Sequence, residues 1–569
     1  MSTPLNTEYP PKADLRNVSR PLPKVPPGTV NPASMDSSVI MMCAKSAVDV
    51  FNTALSSNDV DKLSACFYEQ TYWRDIAALT SHLRTIYSSR VVASALLQTI
   101  ILRGLEGKFE LANDPSFAVM GPFMVLSTWV EDLIQYPENK QLLSLPGKDL
   151  SGDEVVTTDV LVIGAGASGL MTAAQVKSYG IESVVLDRNT NIGDNWAKRY
   201  DSLKFHVPTS NCEIPYIILI VSRRTMLQNI YSNTPKTSIN VITSATIHTT
   251  VFNVTEKLWT VNIGIAGGKK AKTTRSKHIV QATGLGSGKP HLPSMKDEDL
   301  YKGLRLHSAD YGNTQQLKER RVKTVAIVGS ANTAFDVMRD CWEADLSMTM
   351  ILPLEAADRL LNTFPSMLDG QFSHALFAHL ASLEPERYRA FSEAGFPVLD
   401  SRDPSVNVLH RLFEHGGGHY IDVGGTELIA EGKVNVRGMV VPIEYTETGL
   451  PLSDNNFLEA DAIVWCTGFT DKNVKETAKD LLGEAEELSG REDLLGREEI
   501  SARLDASWGV DIEGEVRGVW KRHLQMENFW VIGGTLEHQR GLSRPMVQQI
   551  KLALKGILPP AYRHMPSEV

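Results

Sequence analysis

Residues 159–187 constrain the fold more than any other stretch. Asp159-Val160-Leu161-Val162-Ile163 is a short, β-branched apolar run, the pattern of a parallel strand covered on both faces. It runs directly into Gly164-Ala165-Gly166-Ala167-Ser168-Gly169, after which a helix is expected over residues 170–179, with Gly180 where a helix C-cap belongs. A second strand, Ser183-Val184-Val185-Leu186, ends on Asp187, 23 positions after Gly164. Each residue type has a physical reason. Gly164 permits a tight turn, Gly166 lets the backbone approach a pyrophosphate, and Gly169 lets the helix pack on the strand. The helix N-terminus then faces the phosphates, and Asp187 can accept from a ribose hydroxyl. Gly164, Gly166, Ser168, Gly169, Asp187 and the adjacent Arg188 are candidate dinucleotide-binding residues. The alternative, glycines at an ordinary strand–helix turn, explains the acid and the C-cap glycine less well.

A second unit of the same kind follows. Val325-Ala326-Ile327-Val328 leads into Gly329-Ser330-Ala331-Asn332-Thr333-Ala334-Phe335-Asp336 and a helix through Cys341. Two short strand-to-turn junctions, Ala282-Thr283-Gly284 and Cys466-Thr467-Gly468, place glycine where a chain reverses near a ligand. Residues 529–534 read as a last strand closing on Gly533-Gly534, with a helix expected after Ser543. The fold class that follows is α/β, with two Rossmann-like dinucleotide-binding domains.

The N-terminal quarter is different. Residues 1–35 carry eight prolines and no hydrophobic period, and read as a disordered or loosely draped arm. Val39, Cys43, Ala47, Val50, Phe51 and Ala54 follow helical spacing, and Asn58 or Asp59 can cap a second helix. Trp73, Leu79, Leu83 and Ile86 suggest a further short helix, and residues 117–126 read as strand. The expected division is an arm at 1–35, a small α+β domain at 36–148, a first nucleotide domain at 155–318, a second at 319–462, and the remainder of the first at 463–569.

Composition narrows the function. Of the 569 residues, 57 are Lys or Arg and 67 Asp or Glu, so the net charge is 57 − 67 = −10, which gives no footprint for nucleic acid. The longest apolar run, 214–221, is far short of the about 20 residues of a spanning helix, so integral membrane association is not expected. The N-terminus lacks the basic-then-apolar pattern of a secretory leader, and the five cysteines contain no Cys-x-x-Cys pair. A cytoplasmic protein is the expectation.

Further motifs carry a family resemblance. Gly193-Asp194-Asn195-Trp196 is followed by Tyr200-Asp201-Ser202-Leu203-Lys204-Phe205-His206, and later by Tyr301-Lys302-Gly303 with His307 and Tyr311. Together with the two glycine motifs these resemble the class B flavin monooxygenases, in particular the YUCCA-like branch and its fungal relatives. The block Tyr72-Trp73-Arg74-Asp75, with Leu83-Arg84-Thr85, resembles the nuclear-transport-factor-like (SnoaL-like) cone domain fused ahead of some fungal flavoenzymes. By that second resemblance Asp75 is a candidate base; a pairing with Arg74 or a helix cap is the plainer alternative.

The first resemblance implies FAD at the first site, lined by Asn195 and Trp196 and closed by Gly284, Gly468 and Gly534. It implies NADPH at Gly329, Asn332 and Thr333, with NADH open because no arginine follows the next strand before Arg359. His206 falls beside the expected isoalloxazine and His307 in the motif between the domains; both are candidate catalytic residues, and both can equally be hydrogen-bonded structural histidines. The sequence departs from the family in three places. Asp194 stands where a second glycine is usual, Ala331 crowds the second fingerprint, and residues 217–224 replace a Pro-rich turn, as a remodelled loop or a splice junction.

The implied activity is oxygenation of a small organic molecule with NAD(P)H and O2 through a C4a-hydroperoxyflavin, plausible in secondary metabolism. One alternative is a flavin-binding protein without enzymatic activity. The other is a disulfide-reductase-type flavoenzyme, which the missing cysteine pair disfavours. Phe364, Phe372, Phe377, Phe391 and Phe396 have no clean period and suit either a substrate-pocket wall or plain core. A monomer or homodimer is expected, with residues 1 to about 150 dispensable for flavin binding.

Overall fold

The structure, a computed structural model, describes residues 9–15, 37–76, 82–103, 109, 139–203 (apart from 146, 149 and 151), 239–342 (apart from 286, 287 and 330) and 366–560 (apart from 387, 388, 417–424, 471, 472, 485–487 and 489). His206, Leu352, Arg359, Phe364 and the stretches 117–126 and 217–224 lie outside the described residues, as does the Trp196 side chain.

Residues 9–15 are a bound strap rather than a disordered arm. β1 (Lys12–Ala13) pairs antiparallel with residues 510–511 far along the chain, and the Leu15 side chain is fully buried in the main core. The Ala506 N–H donates to the Tyr9 carbonyl at 2.8 Å, and Arg517 Nε donates to the Pro10 carbonyl at 2.9 Å.

Next come α1 (Ser37–Ser56), α2 (Val60–Ser64), β2 (Tyr72–Ile76), β3 (Leu83–Tyr87) and α3 (Ser89–Arg103). Asp59 caps α2, its carboxylate accepting from the N–H groups of Asp61 and Lys62 at 3.0 and 3.2 Å. α1 buries Val48, Phe51, Ala54 and Leu55; of the expected stripe Phe51 and Ala54 face the core, while Val50 points outward at 58% exposure. Trp73, Leu83 and Ile86 belong to a hairpin, not to a helix: β2 and β3 pair antiparallel with Trp73 opposite Ile86. The period-two pairing of Tyr and Trp with Ile and Tyr across the strands favours this over a helical stripe. Phe51, Phe67, Trp73 and Phe109 pack ring against ring beneath it, at centroid distances from 5.1 to 6.4 Å.

The first nucleotide unit is built on β4 (Val155–Ile163), α4 (Ala167–Ser178), β5 (Ser183–Leu186), β6 (Val241–Ile242), β7 (Ala245–Asn253), β8 (Leu258–Ile265) and β9 (Lys270–Gln281). β4 lies at the centre, with β5 and β9 parallel on its two sides and β6 beyond β5. Residues 160–163 and 183–186 are buried without interruption, as a parallel sheet covered on both faces requires. β9 is shared: residues 270–276 pair antiparallel with β8, while residues 279–281 pair parallel with residues 529–531.

The second unit contains β10 (Leu304–His307), β11 (Val325–Val328), α5 (Asn332–Trp342) and α6 (Ser366–Leu383), followed by a small hairpin of β12 (Gly449–Pro451) and β13 (Phe457–Glu459). Then come β14 (Ala462–Trp465), β15 (Leu494–Leu495), β16 (Val510–Asp511), β17 (Phe529–Val531) and α7 (Leu536–Leu554). β14 is the middle strand of a parallel three-stranded sheet, flanked by β10 and β11. This corrects two expected boundaries. β10 falls in the second sheet although it precedes residue 319, and the boundary at 462/463 would cut β14. All four β14 residues are buried, so a fully apolar run marks the centre of a sheet, not the return to the first unit.

α7 begins at Leu536, not after Ser543. Thr535 is its cap, and Pro545 is carried inside the helix. Proline in a helix interior removes one hydrogen bond and usually ends the run, which is why the sequence suggested a later start.

Candidate active site

The C-terminal edge of the first sheet gathers the expected glycines. Gly164 follows β4, Asp187 follows β5, Gly284 follows β9 and Gly534 follows β17. This is the edge on which open α/β sheets bind ligands. The loop is closely packed. A Cβ on Gly164 would lie 2.5 Å from the Ala282 carbonyl oxygen, at a φ of +110° that disfavours side chains. One on Gly169 would lie 1.8 Å from the Gly164 oxygen, and one on Gly166 would meet the Asn195 amide at 3.0 Å. Gly166 is also the cap of α4 and offers no side chain to its first N–H groups. A backbone cradle that any Cβ would fill, at the open start of a helix, fits a dinucleotide pyrophosphate.

Asp187 is 9% exposed and holds the loop directly. One carboxylate oxygen accepts the Ala165 N–H at 2.6 Å and the other the Asn189 N–H at 2.7 Å. Its first role is thus to set the glycine turn, with a lone pair on each oxygen left over for a ribose hydroxyl. Arg188 is exposed and Ser168 is buried in the first turn of α4. Asp194 closes its own turn: it accepts the Asn191 N–H at 3.2 Å and pairs with Lys198 at 2.9 Å. Burial opposes ionisation there, but the bonds from Lys198 and Asn191 outweigh it and hold the carboxyl below its ordinary value.

The second sheet repeats the arrangement. Gly329 follows β11, Cys466-Thr467-Gly468 follows β14, and His307 ends β10. Gly329 has a φ of +141°, and a Cβ there would lie 2.5 Å from the Cys466 carbonyl oxygen. Asn332 and Thr333 open α5 half-buried, with the Ala331 carbonyl accepting from Ala334 and Phe335 at 2.9 and 3.3 Å. Phe391 and Phe396, rings stacked at 4.2 Å, pack with Phe335 against α5, so these two are core. Phe377, on α6, is 39% exposed.

His307 is buried, and both ring nitrogens are engaged by backbone. The Ala309 N–H donates to Nδ1 at 3.1 Å, which leaves the proton on Nε2, 3.1 Å from the Gly468 carbonyl. Burial lowers its pKa, partly offset by the Gly468 carbonyl, so the ring is a neutral strap between the ends of β10 and β14. A proton-transfer role for it has no free nitrogen to use.

Arg199, which sequence reasoning did not single out, joins the motif residues Tyr200, Asp201 and Asp336 in connecting the two edges. Arg199 lies over the Phe469 ring at 5.9 Å, and that ring meets His307 edge-on at 5.5 Å. The Tyr200 hydroxyl donates to Asp336 on α5 at 3.0 Å, and the Asp201 N–H donates to the Gly312 carbonyl at 2.8 Å. The signal available for Arg199 was its place directly before Tyr200-Asp201, in the loop after the Gly193–Trp196 turn. Among the described residues no cluster of His, Cys, Asp or Glu could hold a metal ion. No described helix is long and apolar enough to cross a membrane.

The family profile described as pyridine nucleotide-disulphide oxidoreductase matches residues 158–380. The indole-3-pyruvate monooxygenase YUCCA8 of Oryza sativa is 23% identical over 358 residues, covering 58% of this chain and 80% of the relative. The probable indole-3-pyruvate monooxygenase YUCCA4 of Arabidopsis thaliana is 25% identical over 335 residues, covering 56% and 77%. Among solved structures, a flavin-containing monooxygenase from Stenotrophomonas maltophilia aligns over 70% of this chain and 99% of its own, with 18% identity and a TM-score of 0.43.

Proposed function

We propose, from the premise that this chain is an oxidoreductase enzyme related to the flavin-dependent monooxygenases, that it oxygenates a small organic molecule with FAD, a nicotinamide dinucleotide and O2. The balance is substrate, O2, NAD(P)H and a proton going to oxygenated substrate, water and NAD(P)+. The observation that carries the reading is the pair of parallel-strand edges, each with a glycine turn opening a helix, joined by residues 199–201.

FAD at the first edge would be held by the 164–169 loop, Asp187 and Asn195, and would supply hydride acceptance and oxygen activation. The chain's own residues bind, orient and shield. The 164–169 loop cradles phosphate and Asp187 fixes that loop. Gly329, Asn332 and Thr333 receive the second dinucleotide at the start of α5. His307 holds the ends of β10 and β14 in register, keeping the Gly468 turn in place beside Phe469.

NADPH is the nicotinamide form the resemblance favours, with NADH open. We place the protein in the cytoplasm, as the composition suggests, and residues 36–148 as an accessory α+β domain of the cone type.

The test is direct. The purified protein should be yellow, with a flavin absorbance spectrum, and should oxidise NADPH or NADH faster when its substrate is present. A colourless protein that FAD cannot reconstitute would overturn the reading.

A further inference from the structure

The Tyr200 side chain comes from the loop that leaves the first site, yet its hydroxyl ends on the second. It donates to Asp336 at 3.0 Å, and both residues are nearly inaccessible, at 4% and 3% exposure. Asp336 lies in the second turn of α5, the helix whose first residues are Asn332 and Thr333. A second tyrosine repeats the contact one turn on: Tyr311, which follows β10, donates to Asp340 at 2.7 Å, and the two rings lie 6.3 Å apart. Asp336 and Asp340 are four residues apart and so share a face of α5. Tyr200, Tyr311, Ala334 and Val337 also belong to one buried apolar cluster, which makes the contact rigid as well as polar. Burial and the nearby Asp336 carboxylate both raise the Tyr200 pKa, which keeps the phenol protonated as a donor.

We propose that Tyr200 is a positioning residue, fixing helix α5 to the loop of the first site through Asp336 so that the two dinucleotides meet in register. The inference rests on the two-dinucleotide reading above. Hydride transfer needs reacting atoms about 3–3.5 Å apart, and a displacement of about 1 Å costs on the order of 100-fold in rate. The Tyr200 hydroxyl, bonded to Asp336 and also to the Thr333 side chain, carries the link from the Gly193–Asp201 loop to the nicotinamide helix, so it governs that distance.

The experiment uses the full-length, FAD-loaded protein and its Tyr200→Phe variant. Anaerobic stopped-flow reduction by NADPH and NADH gives the limiting rate and the apparent Kd; calorimetry with NADP+ and NAD+, and the change they induce in the oxidised flavin spectrum, give readouts independent of turnover. The expected result is a limiting rate down at least about ten-fold, a Kd within about three-fold of wild type, unchanged flavin content, and a weakened nucleotide-induced flavin spectrum. Asp336→Asn, which keeps an acceptor for the phenol, is the second variant and loses less rate than Tyr200→Phe. A Tyr200→Phe protein that is merely less heat-stable, with wild-type limiting rate and spectral response, overturns the proposal alone. A wild-type protein that holds flavin but is reduced by neither nicotinamide overturns the functional reading and this proposal together.

Discussion

Arg74, on the N-terminal hairpin, and Glu515, over four hundred residues later, form a bidentate ion pair away from solvent. Arg74 Nε lies 2.8 Å from one carboxylate oxygen and Nη2 2.7 Å from the other, with the side chains 7% and 0% exposed. Thr85 Oγ1 donates to the same carboxylate at 2.7 Å, and Arg84 lies 3.8 Å from Glu513. The N-terminal domain is therefore docked through buried charge onto the segment that leads to β17 and α7.

That pair predicts the cost of removing one partner. Arg74→Ala leaves Glu515 buried without its counter-charge, which costs about 3–5 kcal/mol. Urea unfolding monitored by flavin fluorescence should show the loss, and Arg74→Lys, which cannot make the bidentate contact, should recover only part of it. The same reasoning bears on truncation. A chain starting near residue 149 loses Arg74, Thr85 and the 9–15 strap together, so it should unfold at markedly lower urea and retain little flavin, against the expectation that this region is dispensable.

For the first site, Gly169→Ala is the sharpest single test. Its Cβ would lie 1.8 Å from the Gly164 oxygen, a contact that only movement of the loop can relieve. The variant should purify with little or no flavin absorbance, while its far-ultraviolet circular dichroism stays near wild type. Gly166→Val should behave the same way, since the Asn195 amide already sits 3.0 Å from the first added carbon.

At the second site, Gly329→Val should abolish flavin reduction while FAD stays bound, because a Cβ there lies 2.5 Å from the Cys466 oxygen. Ala331→Gly removes the one side chain that crowds the fingerprint. Regaining one close backbone contact is worth on the order of 1 kcal/mol, so nicotinamide affinity should rise several-fold or stay level, as titration would show.

Acid should weaken the fold in a defined window. His278, His523 and His538 are buried neutral, with burial the first cause of pKa values lowered from 6.5 to about 4, 3 and 4. The unfolded chain protonates these rings first, so their contribution is intact above pH 6.5 and is lost as pH falls towards about 4. Each ring can remove about 2 kcal/mol between pH 6.5 and 5. Asp505 acts oppositely. Burial raises its pKa to about 7, so its contribution is present at low pH and lost as pH rises towards 7. Asp505→Asn should therefore steepen the acid loss, and His278→Gln should flatten it, in urea midpoints measured from pH 7 to pH 5.

The parts of the fold that could be read in advance are those where one local rule decides the outcome. Residues 159–187 announce strand, glycine turn and acid because backbone sterics at Gly164 and Gly169 admit nothing else. Asp59 as a cap is equally local. The hairpin at Tyr72–Ile76 and Leu83–Tyr87 was hidden because its spacing also fits a helix and only the partner strand decides. The place of β14 was hidden because a four-residue apolar run does not say which sheet it enters. In the site, the glycines were legible, but the Tyr200–Asp336 contact joins residues 136 positions apart and leaves no pattern in either segment.

The pairing of Lys12 with Asp511 has a consequence for how the protein is made. Lys12 meets its partner roughly 500 codons later, and at about 5–20 residues per second it waits on the order of half a minute or more. The β10–β14–β11 sheet has the same order problem on a smaller scale, since its middle strand emerges last. Leu15 and the edges of β10 and β11 thus lack their partners on the nascent chain until those later segments are made. Chains that stop before, or lack, Ala462–Trp465 or Val510–Asp511 should be insoluble, however complete their dinucleotide motifs.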